Sequence, residues 1–424
     1  MLAFRWAIAP LLPFTASLLL ACGGASPADT SGTTSGTSAG AGGSGGEGGG
    51  GVGGGDPFTP APHPAAPQVV NLGGEVLATP KVVTISYDID PHRAGIEAAV
   101  NEMASSPFWP ETTAEYGVGP LTVLPPIHRS ELPPKSLTDE ALVQSLVQNL
   151  GGADPAWGAA DASTIYLFII PSGTALDAGG FCCESFDGYH ADAKIGTTRV
   201  PYAVACSCPG FDGPKVSDLQ QLSVVTSHEL VEAATDPFLK PAYLQTDDDH
   251  IVWTVMTGGE TSDLCTLERD AYYVQPGTTT MIQRSWSNKA AAEGHDPCVP
   301  RDDVPYFNSA PLLDDTITID NFGPVQTRGV KLAVGQTKTI DVALFSDAPT
   351  EGPWKVEAFD VNGDFFGGKK LLNLSLDKDQ GQNGDVLRLT IEVLAYDNQL
   401  DGAAFVLAST QGDQENLWFG VVGQ

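Results

Sequence analysis

The chain has 424 residues, with Asp plus Glu at 52 against Lys plus Arg at 21, for a formal net charge of −31. That acidity disfavours binding to phosphate backbones or anionic lipid surfaces through net charge, so no nucleic-acid partner is expected, and solubility outside the cell accounts for most of it. About 355 residues follow position 67, enough for two domains with sizeable cores or one large one; two is the expected count.

At the N-terminus a single positive charge, Arg5, precedes an apolar run from Trp6 to Leu20. The run is too short to span a bilayer stably and reads as the hydrophobic region of a signal peptide covering 1–21. It ends in Leu19-Leu20-Ala21-Cys22, a lipobox, so Cys22 is the expected site of diacylation and the point of cleavage. An ordinary signal peptide with an incidental cysteine is the competing reading. The lipid would be the chain's one membrane contact. Gly23 offers no retention signal of the Asp type, so the expected location is the outer membrane or cell surface of a bacterial envelope.

From 22 to 67 the composition falls to Gly, Ser, Thr, Ala and Pro, including a stretch from Gly42 to Gly55 broken only by Ser44, Glu47 and Val52. Such a segment buries too little to offset its conformational entropy and is expected to be a disordered spacer. The folded part is then expected as 68–302, an α/β or α+β domain, followed by 303–424.

In the first of these, Lys81 to Tyr87 is rich in β-branched residues and reads as a strand, feeding a helix from about Arg93 to Met103 with Ile96, Ala99 and Val100 on one face. Thr138 is the expected N-cap for a helix carrying Leu142, Val143, Leu146, Val147 and Leu150, stopped by Gly151 and Gly152. Thr164 to Ile170 is a continuous apolar run suited to a central strand buried on both faces. A further strand is expected at Tyr202 to Ala205. A helix then opens at Ser217 or Asp218 and runs to Thr235, where Pro237 forces its end, and it is expected to pack on a mixed sheet. Beyond about 302 the pattern changes to period two, at Ile340, Val342, Leu344, then Leu372, Leu374, Leu376, then Leu387, Leu389, Ile391, Val393. With turn signals at Asn362-Gly363 and Asn383-Gly384, this argues for an all-β sandwich domain.

With Cys22 lipidated, six cysteines remain: Cys182, Cys183, Cys206, Cys208, Cys265 and Cys298. An even count in an exported chain favours disulfides. Adjacent Cys182 and Cys183 are unsuited to bonding each other, so that segment is expected to pair with Cys206 and Cys208, and Cys265 with Cys298. A four-cysteine zinc site competes, although its spacings are tighter than usual.

One constellation could carry chemistry. Ser227-His228-Glu229-Leu230-Val231-Glu232, on the predicted helix, resembles the zincin metallopeptidase motif H-E-x-x-H with the second His replaced by Glu232. Spacing i, i+4 puts His228 and Glu232 on one helix face, where both can reach one metal, while Glu229 points about a quarter-turn away, where a general base can stand without becoming a ligand. Thermolysin-like zincins draw a third ligand from a downstream glutamate followed by an aspartate that supports the first histidine. Gly259-Glu260-Thr261-Ser262-Asp263 is similar to that second motif, with a gap one residue shorter. The resemblance therefore implies Glu260 as third ligand and Asp263 as the support of His228. Asp236 is a rival ligand, since an acid at a helix C-terminus opposes the macrodipole and usually has a partner.

Exchanging an imidazole for Glu232 adds negative charge to the ligand set and weakens the Lewis acidity of the ion. Zinc is the first expectation for the divalent metal, with manganese or calcium gaining ground. The bland alternative is a structural hydrogen-bond network of His228, Glu232 and Asp236. Asp247-Asp248-Asp249-His250 reads as a solvated loop sooner than a calcium site. His190, near the cysteines, is as readily structural as functional, and Trp286 reads as core.

From about residue 80 to 300 the layout resembles the plant phosphate-induced or EXORDIUM-like family and its bacterial relatives. The features that carry this are the early strand and helix, the strand Ile165 to Ile170 leading into Gly179-Gly180-Phe181-Cys182, the segment Cys206-x-Cys208-Pro209-Gly210, and the helix ending Thr235-Asp236-Pro237. The resemblance implies an extracellular, disulfide-bonded protein of growth control without a settled activity. Two functions follow as expectations. The first is a surface-anchored, metal-dependent, peptidase-like hydrolase acting as a monomer on a peptide or cell-surface polymer, with His228, Glu232 and Glu260 on the metal and Glu229 as base. The second is a non-catalytic extracellular binding or signalling protein.

Overall fold

In a computed structural model of the chain, residues 58–210, 216–301, 304–321 and 323–424 are described. The signal peptide, Cys22 and most of the glycine-rich tether lie outside the described residues. Among the described residues no helix is long and apolar enough to cross a membrane.

The fold is α+β. Its first half is built on a six-stranded sheet, five of whose strands, β1 (Lys81–Tyr87), β2 (Thr122–Val123), β4 (Thr164–Ile170), β5 (Gly188–Ile195) and β6 (Thr198–Cys206), run in the order β2-β1-β4-β6-β5. The short β3 (Ile127–Arg129) also pairs with β1. All neighbours are parallel except the edge pair β5 and β6. Helices α1 (Arg93–Ser105) and α3 (Asp218–Thr235) cover one face and α2 (Asp139–Gln148) the other.

The apolar run of β4 is sorted by strand alternation. Ile165, Leu167 and Ile169 pack toward Ile96, Val100 and Leu222, whereas Tyr166, Phe168 and Ile170 pack toward Leu142 and Leu146. Because both faces are covered, every residue of β4 is buried.

The helix limits follow from local chemistry. Ser217 and Gln220 form a reciprocal capping box at the start of α3, with Ser217 Oγ accepting from the Gln220 amide at 3.3 Å and Gln220 Oε1 accepting from the Ser217 amide at 3.1 Å. Thr138 Oγ1 caps α2 through the Ala141 amide at 3.3 Å. Past α2 the chain turns through Gly151 and Gly152, and Gly152 sits at φ +102°, open to glycine at little cost.

The six cysteines form three disulfides, Cys182–Cys206, Cys183–Cys208 and Cys265–Cys298. With all six bonded, no thiolate remains for the competing zinc site.

The second half is β-rich, with two sandwich-like sheets formed by β7 (Phe307–Pro311), β8 (Asp315–Asp320), β9 (Pro324–Lys331), β10 (Thr337–Ser346), β11 (Trp354–Asp360), β12 (Leu372–Leu376), β13 (Gln380–Gly381), β14 (Val386–Val393), β15 (Ala403–Gln411) and β16 (Gln414–Gly423). One sheet runs β7-β10-β14-β12 and the other β8-β9-β16-β15-β11-β13. The three period-two segments of the sequence are β10, β12 and β14, side by side in the first sheet.

One segment departs from the sequence reading. Residues 58–67, assigned to the spacer, are docked: Ala61 donates its amide to Asn383 Oδ1 at 2.9 Å, and His63 stacks on Phe345 with ring centroids 3.9 Å apart. Phe58, Pro60, Pro62, His63, Pro64 and Pro67 give this stretch apolar and aromatic surface that the glycine run lacks. The two halves meet across the expected boundary at 302/303, where Trp253 packs edge-on against Trp286, Trp418 and Phe419 within one apolar cluster.

Candidate metal centre

Helix α3 is buried on nearly all sides, so its polar residues must find partners inside the protein. His228, Glu229 and Glu232 find them in three other elements.

The first is the loop that follows the helix Ile251–Thr257 and carries Glu260 and Asp263. Gly258 and Gly259 open it at φ +119° and +97°. A Cβ on Gly258 would stand 2.0 Å from Asp263 Oδ2, so that position requires glycine for the carboxylate to fold back. The loop's amides at Ser262 and Asp263 donate to Glu232 Oε1 at 3.2 and 3.1 Å. Glu232 Oε2 is thereby left facing His228 Nε2 at 3.0 Å, and Asp263 Oδ1 stands 3.5 Å from the same nitrogen.

The second element is β5. Its antiparallel register sets His190 opposite Ala203, a residue of the α3-facing core, so alternation turns His190 toward the helix and Tyr189 away from it. His190 Nδ1 lies 3.5 Å from Glu229 Oε2 and 3.9 Å from Glu232 Oε2, while Nε2 lies 3.4 Å from Glu260 Oε1. Gly188, two residues before it on the same face, lets the strand approach the helix: a Cβ there would meet Val225 Cγ1 at 2.5 Å and Glu229 Oε1 at 2.7 Å.

The orientation of His228 is set by Gln283, on the hairpin of Tyr272–Val274 and Met281–Gln283. Gln283 Nε2 donates to Ser262 O at 2.7 Å and Thr266 Oγ1 at 3.0 Å. Its Oε1 is then the acceptor for His228 Nδ1–H at 3.1 Å, which leaves Nε2 free to ligate. Gln283 thus takes the Nδ1 side of the ring, and Asp263, expected there as the support of His228, stands on the Nε2 side with Glu232.

Asp236 accepts the Ala242 amide at 2.6 Å and interacts with Glu260 and His190 at the margin of the cluster.

The protonation equilibria follow from this crowding. Burial works against charged His190 and His228, but Glu260 and Glu229 around the first and Glu232 around the second hold both well above the usual imidazole value. Burial also raises Glu232, opposed by His228 and reinforced by Glu260. Asp263 is raised well above the carboxylate range by burial and by Glu232, and Asp236 is pushed up to about 6 by burial with a contribution from Glu260. Among the described residues no Lys or Arg pairs with any of these acids. Concentrated negative charge of this kind, held by two imidazoles, suits a hard or borderline divalent cation. A cavity of about 190 Å³ opens beside His228, Glu229 and Asp263, with Gly188, Tyr272 and Gln283 among its walls.

All the residues named for the site in the sequence therefore converge. His190 and Gln283 complete it. For His190 the sequence leaves structural and functional roles evenly balanced, because nothing local to it reveals the strand register, and Gln283 carries no spacing signal at all. The remaining candidates are structural. Asp247 binds the Gln68 amide at 2.9 Å and His250 at 2.8 Å, tying down the strand Val69–Asn71, and Trp286 is core.

No family model matches the chain, and no curated protein matches it. Among solved structures, domains 4 and 5 of the S-layer protein SbsC align at 17% identity over 27% of this chain and 47% of that one, with a TM-score of 0.17. Titin M4 aligns at 12% identity over 28% of this chain and 93% of that one, also at 0.17. The chain thus spans about half the length of the SbsC fragment. Likenesses at this TM-score carry no argument for fold or function.

Proposed function

We propose that this chain is an exported lipoprotein, anchored through Cys22, whose α+β half is a metal-dependent hydrolase of the peptidase-like kind. The observation that carries the metal is the convergence of His190, His228, Glu232, Glu260 and Asp263 from three separate elements, with each imidazole against carboxylate oxygens. The three disulfides support export.

A divalent ion here would supply Lewis acidity toward a carbonyl and toward water. The chain's own residues would do the rest. Gln283 holds His228 in the tautomer that presents Nε2, and the Ser262 and Asp263 amides fix Glu232 so that Oε2 faces inward. Glu229 borders the cavity, and its buried Oε2, 3.5 Å from His190 Nδ1, accepts no hydrogen bond of good geometry. It is therefore placed to accept a proton from a water in the cavity and pass it to a leaving group. The narrow cavity favours a slender extended substrate, such as a peptide or a surface polymer strand.

Elemental analysis of the purified full chain, followed by a peptide-library assay of wild type against Glu229→Gln, tests this. We expect bound divalent metal in both proteins and a turnover lowered roughly 10²–10⁴-fold in the variant. Metal-free wild-type protein after supplementation with zinc or manganese would end the metal reading, and equal turnover would remove Glu229 as base.

A further inference from the structure

We propose that the centre holds two divalent cations and that Glu232 bridges them. This rests on the metal reading above and deepens it.

Among the described residues, the ligand atoms that lie within 4.8 Å of one another around α3 form two trios, His190/Glu232/Glu260 and His228/Glu232/Asp263. The trios share Glu232, and the two histidines fall in different ones. Ligands about 2.1 Å from a single ion stand at most about 4.2 Å apart, when they are opposite one another. The printed pairs fall inside that span, His228 Nε2 standing 3.0 Å from Glu232 Oε2 and 3.5 Å from Asp263 Oδ1, and His190 standing 3.9 Å from Glu232 Oε2 through Nδ1 and 3.4 Å from Glu260 Oε1 through Nε2, whereas the five residues do not form one group.

Glu232 is built for a shared position. Its Oε1 is occupied by the Ser262 and Asp263 amides. Its Oε2 faces both histidines, at 3.0 Å from His228 Nε2 and 3.9 Å from His190 Nδ1. A carboxylate oxygen has two lone-pair directions, enough for one ion on each side.

Two buried oxygens give independent support. Glu260 Oε1 and Glu229 Oε2 accept no hydrogen bond of good geometry and stand 3.4 and 3.5 Å from the ring nitrogens of His190. Buried acceptors so incompletely satisfied carry a desolvation penalty that a cation would relieve. Charge leads to the same place. With Glu229 and Asp236 the centre gathers five carboxyl groups, more than one dication could neutralise if all were ionised and within what two could nearly balance. Paired ions about 3.5–4 Å apart are a recurrent arrangement for holding both the attacking and the leaving oxygen of a hydrolysis.

The test is metal stoichiometry of the full chain purified in detergent, stripped with chelator and reloaded with Mn²⁺, read by elemental analysis and by electron paramagnetic resonance. Two ions per chain with a spin-coupled signal are expected. His190→Ala and His228→Ala should each fall to one ion and lose the coupling, with the disulfides intact. One uncoupled ion per wild-type chain would overturn the bridge while leaving a mononuclear hydrolase standing, and no ion would overturn both. If either variant fails to fold, the wild-type stoichiometry and coupling decide alone.

Discussion

Removing the Cys265–Cys298 bridge should destabilise the protein more than any surface change, and the size of the effect can be worked from its position. The cysteines are 33 residues apart in sequence and both are fully buried in the cluster that joins the two halves. For a loop of that length the chain-entropy relation gives about 3.7 kcal/mol at 25 °C, mostly by restricting the unfolded chain. Cys265→Ala/Cys298→Ala should therefore lower the free energy of unfolding by about 3–4 kcal/mol in urea titrations under non-reducing conditions. The bridged loop also carries Gln283. That residue remains tied to α3 through its own amide to Ser227 Oγ at 2.9 Å, and Ser223 Oγ donates to Met281 O at 2.6 Å. Metal affinity should accordingly change less than stability. A loss below about 1 kcal/mol would refute the entropic account of this bridge.

Three further outcomes are expected. Gly188→Ala forces a methyl against Val225 and Glu229, so thermal denaturation should show a loss of about 1–3 kcal/mol, and a neutral result would mean that β5 and α3 are not in close contact. Gln283→Ala removes the acceptor that orients His228 and should weaken metal binding about 10–100-fold by competition with a chelating dye. Buried Tyr116, Tyr202 and Tyr306 and half-buried Tyr189 have hydroxyl pKa values raised by desolvation, with Asp139 adding to Tyr189 and Tyr202. Their folded values lie above the unfolded value near 10. The unfolded chain therefore loses protons first, and stability that is fully present below about pH 10 should fall as pH rises beyond it. Tyr189 and Tyr202 both donate to Asp139 Oδ1 at 2.6 Å. Tyr189→Phe should thus flatten the alkaline limb of an unfolding-versus-pH curve, and an unchanged limb would exclude Tyr189 as a contributor.

Features governed by neighbours along the chain are legible in the sequence alone. Ser217 and Pro237 bracket α3, the β-branched run Lys81–Tyr87 is a strand, the segment pairing of the six cysteines is as expected, and spacing i, i+4 does put His228 and Glu232 on one face. The helix and strand limits and the shared face depend on backbone geometry repeated every few residues, and the cysteine pairing on an even count whose adjacent members are unsuited to bonding each other. What only the tertiary structure decided lies at long range. His190 enters the site because β5 pairs antiparallel with β6 in the one register that turns it toward α3; a slip of one residue would turn it to the other face. Gln283 arrives on a hairpin 55 residues beyond His228, and Asp263 stands on the Nε2 side of His228 because Gln283 takes the Nδ1 side. The amino-acid sequence by itself determined which residues are chemically able to hold a metal. Strand register and loop packing, set by burial of apolar faces distant from those residues, decided that they surround Glu232 in two groups.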